Sequence, residues 1–475
     1  MISFFCFIAT AFGLVGSAPA YCFAPIAALF GIHWVFRVCR RAFAEKDFDA
    51  LMFQGVVLSA FLLYMLLKKD SSLFYHILTE ISLGFSGLAG AFAGRSVSMG
   101  VTYSGLDLVC LFLIAAAVAS AFWCEGSRLR LAARFVVLFP IWGMYVALWT
   151  LLAENGLSLG LGFLEPMTGP LDYRALLFAF LLAAHMAGPG RRREKAAPFL
   201  AKGKARAGVA TAAALCAAIF FLSFVGPKAP ETPEGKRVVF WDSGIDFSLP
   251  EKGRYGLENA GMFGFLPRYL ETRGYSCAIV GAPDAKALKS ADLLVIINPM
   301  STPDAEALDA IRDFVEGGGG LLAAGDHTGG EQIRLPLNAI LAPAGISLNF
   351  DSATPFKALW ADEFVTRRSP VFAGVSAGQI QTVVGASLEL SRPAKPLLVG
   401  RCGYSDAGDA ANAADGFLGD RQFNRGERVG DLILAAAAEC GKGRIAAFGD
   451  TSFLQNIGIA YSYPLIDNLF AWLAG

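Results

Sequence analysis

The sequence predicts a multi-span α-helical membrane region followed by one α/β domain with a doubly wound, mostly parallel sheet. Three observations carry that reading. Of 475 residues, 55% are hydrophobic and 17% charged, against roughly a quarter charged in ordinary soluble chains, and mean hydropathy is +0.50. Long apolar stretches fill the first half, while most Asp and Glu lie after Glu231. From Lys236 onward, short apolar runs alternate with amphipathic segments, as in chains of βαβ units. The predicted organisation is a membrane region at 1–226, a proline-bearing linker at 227–235 and a soluble domain at 236–475.

A bilayer-spanning helix needs ~20 mainly apolar residues. Candidate spans run from Ile2 to Gly16, Ala20 to Val38, Leu51 to Leu67, Leu73 to Ala93, Leu106 to Cys124, Phe135 to Leu152, Leu171 to Ala187 and Val209 to Val225. The first has no positive leader and runs almost directly into the second, so it reads as a span and not as a signal peptide. Basic clusters at Arg128, Arg130 and Arg134 and from Arg191 to Arg206 mark cytoplasmic loops. The soluble domain is then expected outside the cytoplasm. Arg37, Arg40 and Arg41 fit this orientation only if Leu73 to Ala93 is re-entrant, which leaves seven or eight spans open. That glycine-rich stretch carries His76 and Glu80 at helical spacing, read as a structural polar contact. No repeated carboxylates mark a proton relay.

Past the linker, Lys236 to Trp241 reads as a strand ending at Asp242, Asn259 to Arg273 as a helix, and Ser276 to Val280 as a second strand. Asp292 to Asn298 has the β-branched run of a sheet buried on both faces. Ser301 to Asp304 opens a helix by its capping and proline pattern, and Gly317 to Gly320 ends it. Leu321 to Ala324 forms a strand leading into Gly325-Asp326-His327-Thr328. Further strands are expected at Thr382 to Leu390, Pro396 to Val399, Leu432 to Ala436 and Arg444 to Phe448, and a closing helix from Tyr463 to Leu473.

The succession VVFWDSG, GYSCAIV, ADLLVIINP, DAIRDFVEGGGGLLAAGDH, GKGRIAAFGDTSFLQN and NLFAWL resembles the class I glutamine amidotransferase-like (flavodoxin-like) superfold, and within it the GldG-like branch. The resemblance spans 236–475 and implies a domain held outside the membrane beside transport or envelope machinery. It also implies a nucleophilic Cys at a sharp strand-to-helix turn, with a downstream His and Glu. Here that turn holds Asp326-His327, and His327 is the domain's single histidine. Cys277, Cys402 and Cys440 fall elsewhere, so glutaminase chemistry is not expected. The G-x-S-x-G matches at Gly156 to Gly160 and Gly374 to Gly378 lack the strand and helix of a nucleophile elbow.

Parallel strands deliver their carboxyl ends to one edge, where open α/β sheets bind ligands. Asp242, Ser243, Asp326, His327, Thr328, Asp450, Thr451 and Ser452 all follow apolar strands. They can cap the following helices, bind a ligand such as a carbohydrate, or act as acids and bases, with His327, Asp326 and Asp450 the catalytic candidates. Asp406, Asp409, Asn412 and Asp415 carry Ca²⁺-type oxygens without EF-hand spacing, and a solvated loop is the better reading. Nine unpaired cysteines give no zinc pattern,. No metal and no cofactor are expected, and a net charge of zero gives no reason to expect nucleic acid. The expected function is a membrane-anchored envelope protein presenting a glutaminase-inactive domain to a ligand or partner. The alternatives are an envelope hydrolase or transferase for a glycan or lipid-linked substrate, and an auxiliary subunit of a transport complex.

Overall fold

The chain divides into two units, Met1–Val225 and Gly226–Gly475. The computed structural model describes residues 71–123, 128–154, 227–231, 233–250, 260–327, 331–356, 360, 364–407 and 419–475, with isolated positions between 57 and 68 and at 211. The first two predicted spans and the last two lie outside the described residues, apart from Thr211.

In the first unit, helices run over Ser72–Phe92, Leu106–Trp123 and Arg128–Glu154. Ser71 caps the first by accepting from Phe74 N. The chain then leaves helical geometry through Gly94 (φ +66°), makes one short helical turn at Val101–Ser104, and starts its next long helix after Gly105 (φ +77°). This irregular stretch packs on the first helix, where a Cβ at Gly90 would come within 2.7 Å of Val97. Its backbone is served by serines of that helix. Ser82 Oγ donates to Met99 O at 3.0 Å and Ser86 Oγ accepts from Met99 N at 3.1 Å. Ser82, Ser86, Ser104 and Asp107 are buried, whereas Leu88 is 61% and Phe92 91% exposed. Among the described residues, no helix is long and apolar enough to cross a membrane.

In the second unit the sheet begins with β1 (Arg237–Trp241), β2 (Ser276–Val280), β3 (Leu293–Ile297) and β4 (Gly320–Ala324). Strands β5 (Asp351–Pro355), β6 (Phe364–Thr366), β7 (Lys395–Gly400), β8 (Gly403–Ala407), β9 (Leu432–Cys440) and β10 (Gly443–Phe448) follow. The main sheet runs β2-β1-β3-β4-β10-β9-β7-β6. The first five of these are parallel and the rest antiparallel. The domain is thus α/β with a mixed, largely parallel sheet, and its parallel part has the flavodoxin-like order with a switch point between β1 and β3. Strands β5 and β8 pair antiparallel in a second, smaller sheet.

Period-two alternation explains why both faces are covered. Val238, Phe240, Leu293, Val295 and Ile297 point to a core closed by α1 (Phe265–Thr272) and α4 (Ile459–Ala474). Val239, Trp241, Leu294 and Ile296 point to the opposite core, under α2 (Ala305–Glu316) and α3 (Glu331–Leu341).

Several boundaries move for local reasons. The helix expected from Asn259 begins only at Phe265, because Gly261 takes φ +80°. Asp304, not Ser301 or Thr302, caps α2 by accepting from Ala307 N at 2.8 Å, which leaves Pro303 ahead of the cap. The strand expected over Thr382 to Leu390 is reduced to Leu388–Leu390, since the preceding backbone is bound by side chains of the carboxyl edge. Unforeseen from the sequence were α3, β5, β6, β8 and the antiparallel half of the sheet.

Candidate functional site

Register decides which strand ends meet. Ala324 of β4 aligns with Ile297 on one side and with Phe448 on the other. Asn298, Asp326 and Asp450-Thr451 therefore emerge side by side. Asn298 Nδ2 donates to Asp326 Oδ2 at 2.7 Å, and Thr451 Oγ1 donates to the same oxygen at 3.1 Å. Gln455 Nε2 extends the chain by donating to Thr451 Oγ1 at 3.2 Å. Asp326, 8% exposed, and Thr451, fully buried, thus form a hydrogen-bonded floor joining three strand ends.

Asp450 behaves differently. Its Oδ1 accepts from Ser452 N at 2.8 Å and Ser452 Oγ at 2.6 Å, and its Oδ2 accepts from Val383 N at 2.6 Å. It caps its own turn and ties down the 383–386 backbone. Burial pushes its carboxyl up to about 6, against the pull of those hydrogen bonds. His327 fixes the next peptide, with Nδ1 3.0 Å from Val384 O. Since a carbonyl only accepts, Nδ1 carries the proton in this contact. Burial lowers the imidazole below its ordinary value, while Asp326 and the Val384 bond act in the opposite direction.

At the switch point, Asp242 is exposed, with Oδ1 accepting from Gly244 N at 3.4 Å in a local turn. Ser243 Oγ is buried without a hydrogen-bond partner. Asn298 adopts φ +40°, and its Oδ1 is likewise buried and unpartnered. Thr328 lies outside the described residues. The edge thus gathers Asp326 and Thr451 into one network and binds Asp450 and His327 to the 383–386 segment. It leaves Asp242 on the rim.

Two contributors escaped sequence reasoning. Arg334 of α3 is 2% exposed and donates Nη2 to Asp351 O at 3.1 Å. Its guanidinium lies 4.8 Å over the Phe350 ring, while Nε and Nη1 are unpartnered. Burial lowers its pKa, and Asp351 and Asp326 oppose that shift. Asn298 was read as the last residue of a strand. Its signal was the polar side chain directly after five apolar residues, but only the register shows that it reaches Asp326.

Elsewhere the candidates separate. Ser376 of the second G-x-S-x-G match caps a short 3₁₀ turn with Gln379, so it is no nucleophile elbow. Asp406 is not solvated: it is 1% exposed in β8, and it accepts from Asp420 N and Arg421 N at 3.1 and 2.7 Å. Asp409, Asn412 and Asp415 lie outside the described residues, and among those described no group of three ligating side chains suits a metal ion. Burial pushes the Cys277 thiol up to about 12 and raises that of Cys440. A cleft of about 450 Å³ between α2 and α3, lined by Arg312, Glu316 and Glu439 among others, holds none of these strand-end residues.

No known protein family matches the chain, and no curated protein is similar to it in sequence. Solved structures offer distant likenesses. The mmIFT52 N-terminal domain is 16% identical, with 50% of this chain and 97% of that chain covered and a TM-score of 0.34. Cytoplasmic Protein STM3548 from Salmonella typhimurium is 14% identical, with 50% and 98% covered and a TM-score of 0.30. A beta-galactosidase from Rahnella sp. R3 is 13% identical over 56% of this chain and 34% of its own, with a TM-score of 0.28. Likenesses this distant say nothing about activity, substrate or partner.

Proposed function

We propose that the first unit anchors the chain in a membrane and that the second presents a ligand-binding crevice outside the cytoplasm, at the carboxyl edge of its sheet. The observation that carries the binding role is the Asn298–Asp326–Thr451 network. A carboxylate that bridges strand ends holds a polar floor at the position where open α/β sheets take ligands. The finer assignment to an amidotransferase-like domain without glutaminase chemistry agrees with the flavodoxin-like strand order. It agrees also with the aspartate–histidine turn after β4 and the thiols raised by burial. The membrane anchor rests on the apolar stretches of the sequence, many of which fall outside the described residues. It is supported by the outward apolar face of Ser72–Phe92 and Arg128–Glu154, where Leu88, Phe92, Val136 and Met144 are exposed.

The hydrolase alternative draws less support, because both oxygens of Asp450 are taken by Ser452 and Val383. Nothing in the fold favours a transport-complex role. The topology is tested by fusing a cytoplasm-dependent reporter after Gly475. Silence is expected, and strong signal would overturn the orientation. Binding is tested by the thermal shift of the full chain, in detergent, with and without a panel of sugars. A Thr451→Val variant that keeps its shift would remove the crevice from consideration.

A further inference from the structure

We propose that Asn298 sets the specificity of the carboxyl-edge crevice, and that its ligand is a neutral molecule offering hydroxyl or amide N–H donors, the chemistry of a sugar or polyol. This deepens the reading of that edge as a ligand crevice and rests on it.

Three observations meet at the switch point. First, Asn298 is held at φ +40°, a conformation that non-glycine residues keep only where the surroundings impose it, and one that clusters at functional sites. Second, its amide has one orientation. Nδ2 donates to Asp326 Oδ2 at 2.7 Å, and turning the amide over would set oxygen against oxygen. Oδ1 is therefore committed to the other side, where it is buried and unpartnered. Third, the neighbouring strand supplies a second unpartnered polar atom, Ser243 Oγ. β1 and β3 are paired, and Met300 N donates to Ser243 O at 3.3 Å, so both atoms belong to one corner.

Leaving buried polar atoms unpaired costs stability, and a fold that keeps two together has them available for a partner. A fixed carbonyl oxygen accepts a hydrogen bond, and a hydroxyl beside it can accept or return one. Adjacent sugar hydroxyls match that pair. A carboxylate or phosphate does not, because it would face Asn298 Oδ1, the Asp326 carboxylate behind the amide, and Asp242 at the rim. The buried cation Arg334 directs Nη2 to the carbonyls of His327 and Asp351; its Nε and Nη1 are unpartnered, but its charge already faces the Asp351 and Asp326 carboxylates. Both unpartnered atoms are covered in the folded chain. The Met300 side chain, 48% exposed, lies against Gly244, and the ligand gains access by displacing it.

The test uses the full chain in a sugar-free detergent and saturation-transfer NMR with methyl glucoside and methyl glucuronate as probes. The glucoside should bind, and the glucuronate should bind about tenfold more weakly or less, the loss expected from an unmatched polar contact. Asn298→Gly accepts the positive φ without strain and should still unfold cooperatively, at a temperature lowered by the lost bond to Asp326, yet lose glucoside binding. Ser243→Ala removes an unsatisfied hydroxyl, so its fold should be undisturbed while binding weakens. It keeps the test open should the glycine variant fail to fold. Met300→Ala should bind as well as the wild type or better. Glucuronate binding as tight as glucoside binding, abolished by Thr451→Val, would overturn the neutral-donor inference and leave the crevice standing. Wild-type binding in Ser243→Ala and Asn298→Gly would also overturn it, and no signal from either sugar would remove both readings.

Discussion

Both units bury apolar side chains, but they differ in what they turn outward. In the first, Ser82, Ser86, Ser104 and Asp107 are inside while Leu73, Leu88, Phe92 and Val136 face outward. In the second, Val238, Phe240, Leu294 and Leu322 are fully buried, and charged residues such as Asp309, Arg312, Lys286 and Glu389 are exposed. The second pattern is the one water favours, because apolar area removed from it is worth roughly 25 cal/mol per Å². The first pattern suits a surrounding that is itself apolar, in which backbone and side-chain polar groups must find partners inside the protein. Ser82 and Ser86, serving the irregular backbone at Met99, illustrate that demand.

Cutting the chain at 226 breaks the comparison most severely. Residues 226–475 should express as a soluble domain with a cooperative melt, being large enough to bury a core on each sheet face. Residues 1–225 should stay in solution only with detergent. Light scattering and calorimetry on the two pieces check this, and a first unit that remains monodisperse in plain buffer would overturn the membrane reading.

Ion pairs sharpen the comparison on a smaller scale. Asp107 is buried with Tyr64 Oη and Lys68 Nζ each 2.5 Å from its oxygens. The Lys236–Asp292 pair is 2.9 Å long with both side chains about one-third exposed. Lys68→Ala strands a buried carboxylate and should cost about 3–5 kcal/mol. Lys236→Ala should cost about 0–1 kcal/mol. Thermal unfolding in detergent measures both, and equal costs would mean the Asp107 environment is wet.

The sequence made legible what repeats. The β-branched run at Leu293–Ile297 and the glycine stop before β4 name their elements directly, because burial on both faces dictates composition. Strand-end aspartates were legible too, since parallel strands share one carboxyl edge. Strands such as Phe364–Thr366 and Asp351–Pro355 were not. They are short, and their pairing partners lie at Leu398–Gly400 and Gly403–Ala407, beyond any local pattern. The buried ion pair of Asp107 was not legible either, because its partners Tyr64 and Lys68 lie on another stretch of chain. Asn298 and Arg334 matter through register and burial, which no spacing rule contains.

Asp450 offers a pH test of the same contrast between buried charge and solvent. Its folded-state pKa is raised to about 6, above the ordinary value of about 3.9. The folded chain therefore binds this proton more tightly than the unfolded one. Its contribution is fully present below pH ~4, is lost as pH rises towards ~6, and is worth about 3 kcal/mol at most. Asp450→Asn should flatten that part of the stability–pH curve. The slope is the readout and not absolute stability, because the amide replaces one of the acceptors used by Ser452 and Val383. A variant with an unchanged slope would mean that Asp450 titrates normally.

The smallest effect is expected from the thiols of the second unit. Cys402 is 2% exposed, Cys277 packs at the margin of one core and Cys440 at the margin of the other. A thiol at about 12 is on the order of one part in 10⁵ thiolate at pH 7, and the thiolate is the nucleophile. None of the three stands at the turn after β4, so each fills space as a small apolar residue does. Replacing all three by Ala should leave sugar binding unchanged and lower stability by about 1–2 kcal/mol, the cost of trimming small apolar groups. Calorimetry with the binding assay separates the two effects. If a folded Cys277→Ala variant alone abolished the chain's cellular role, a thiol mechanism would return, and the second unit's interior would no longer be purely structural.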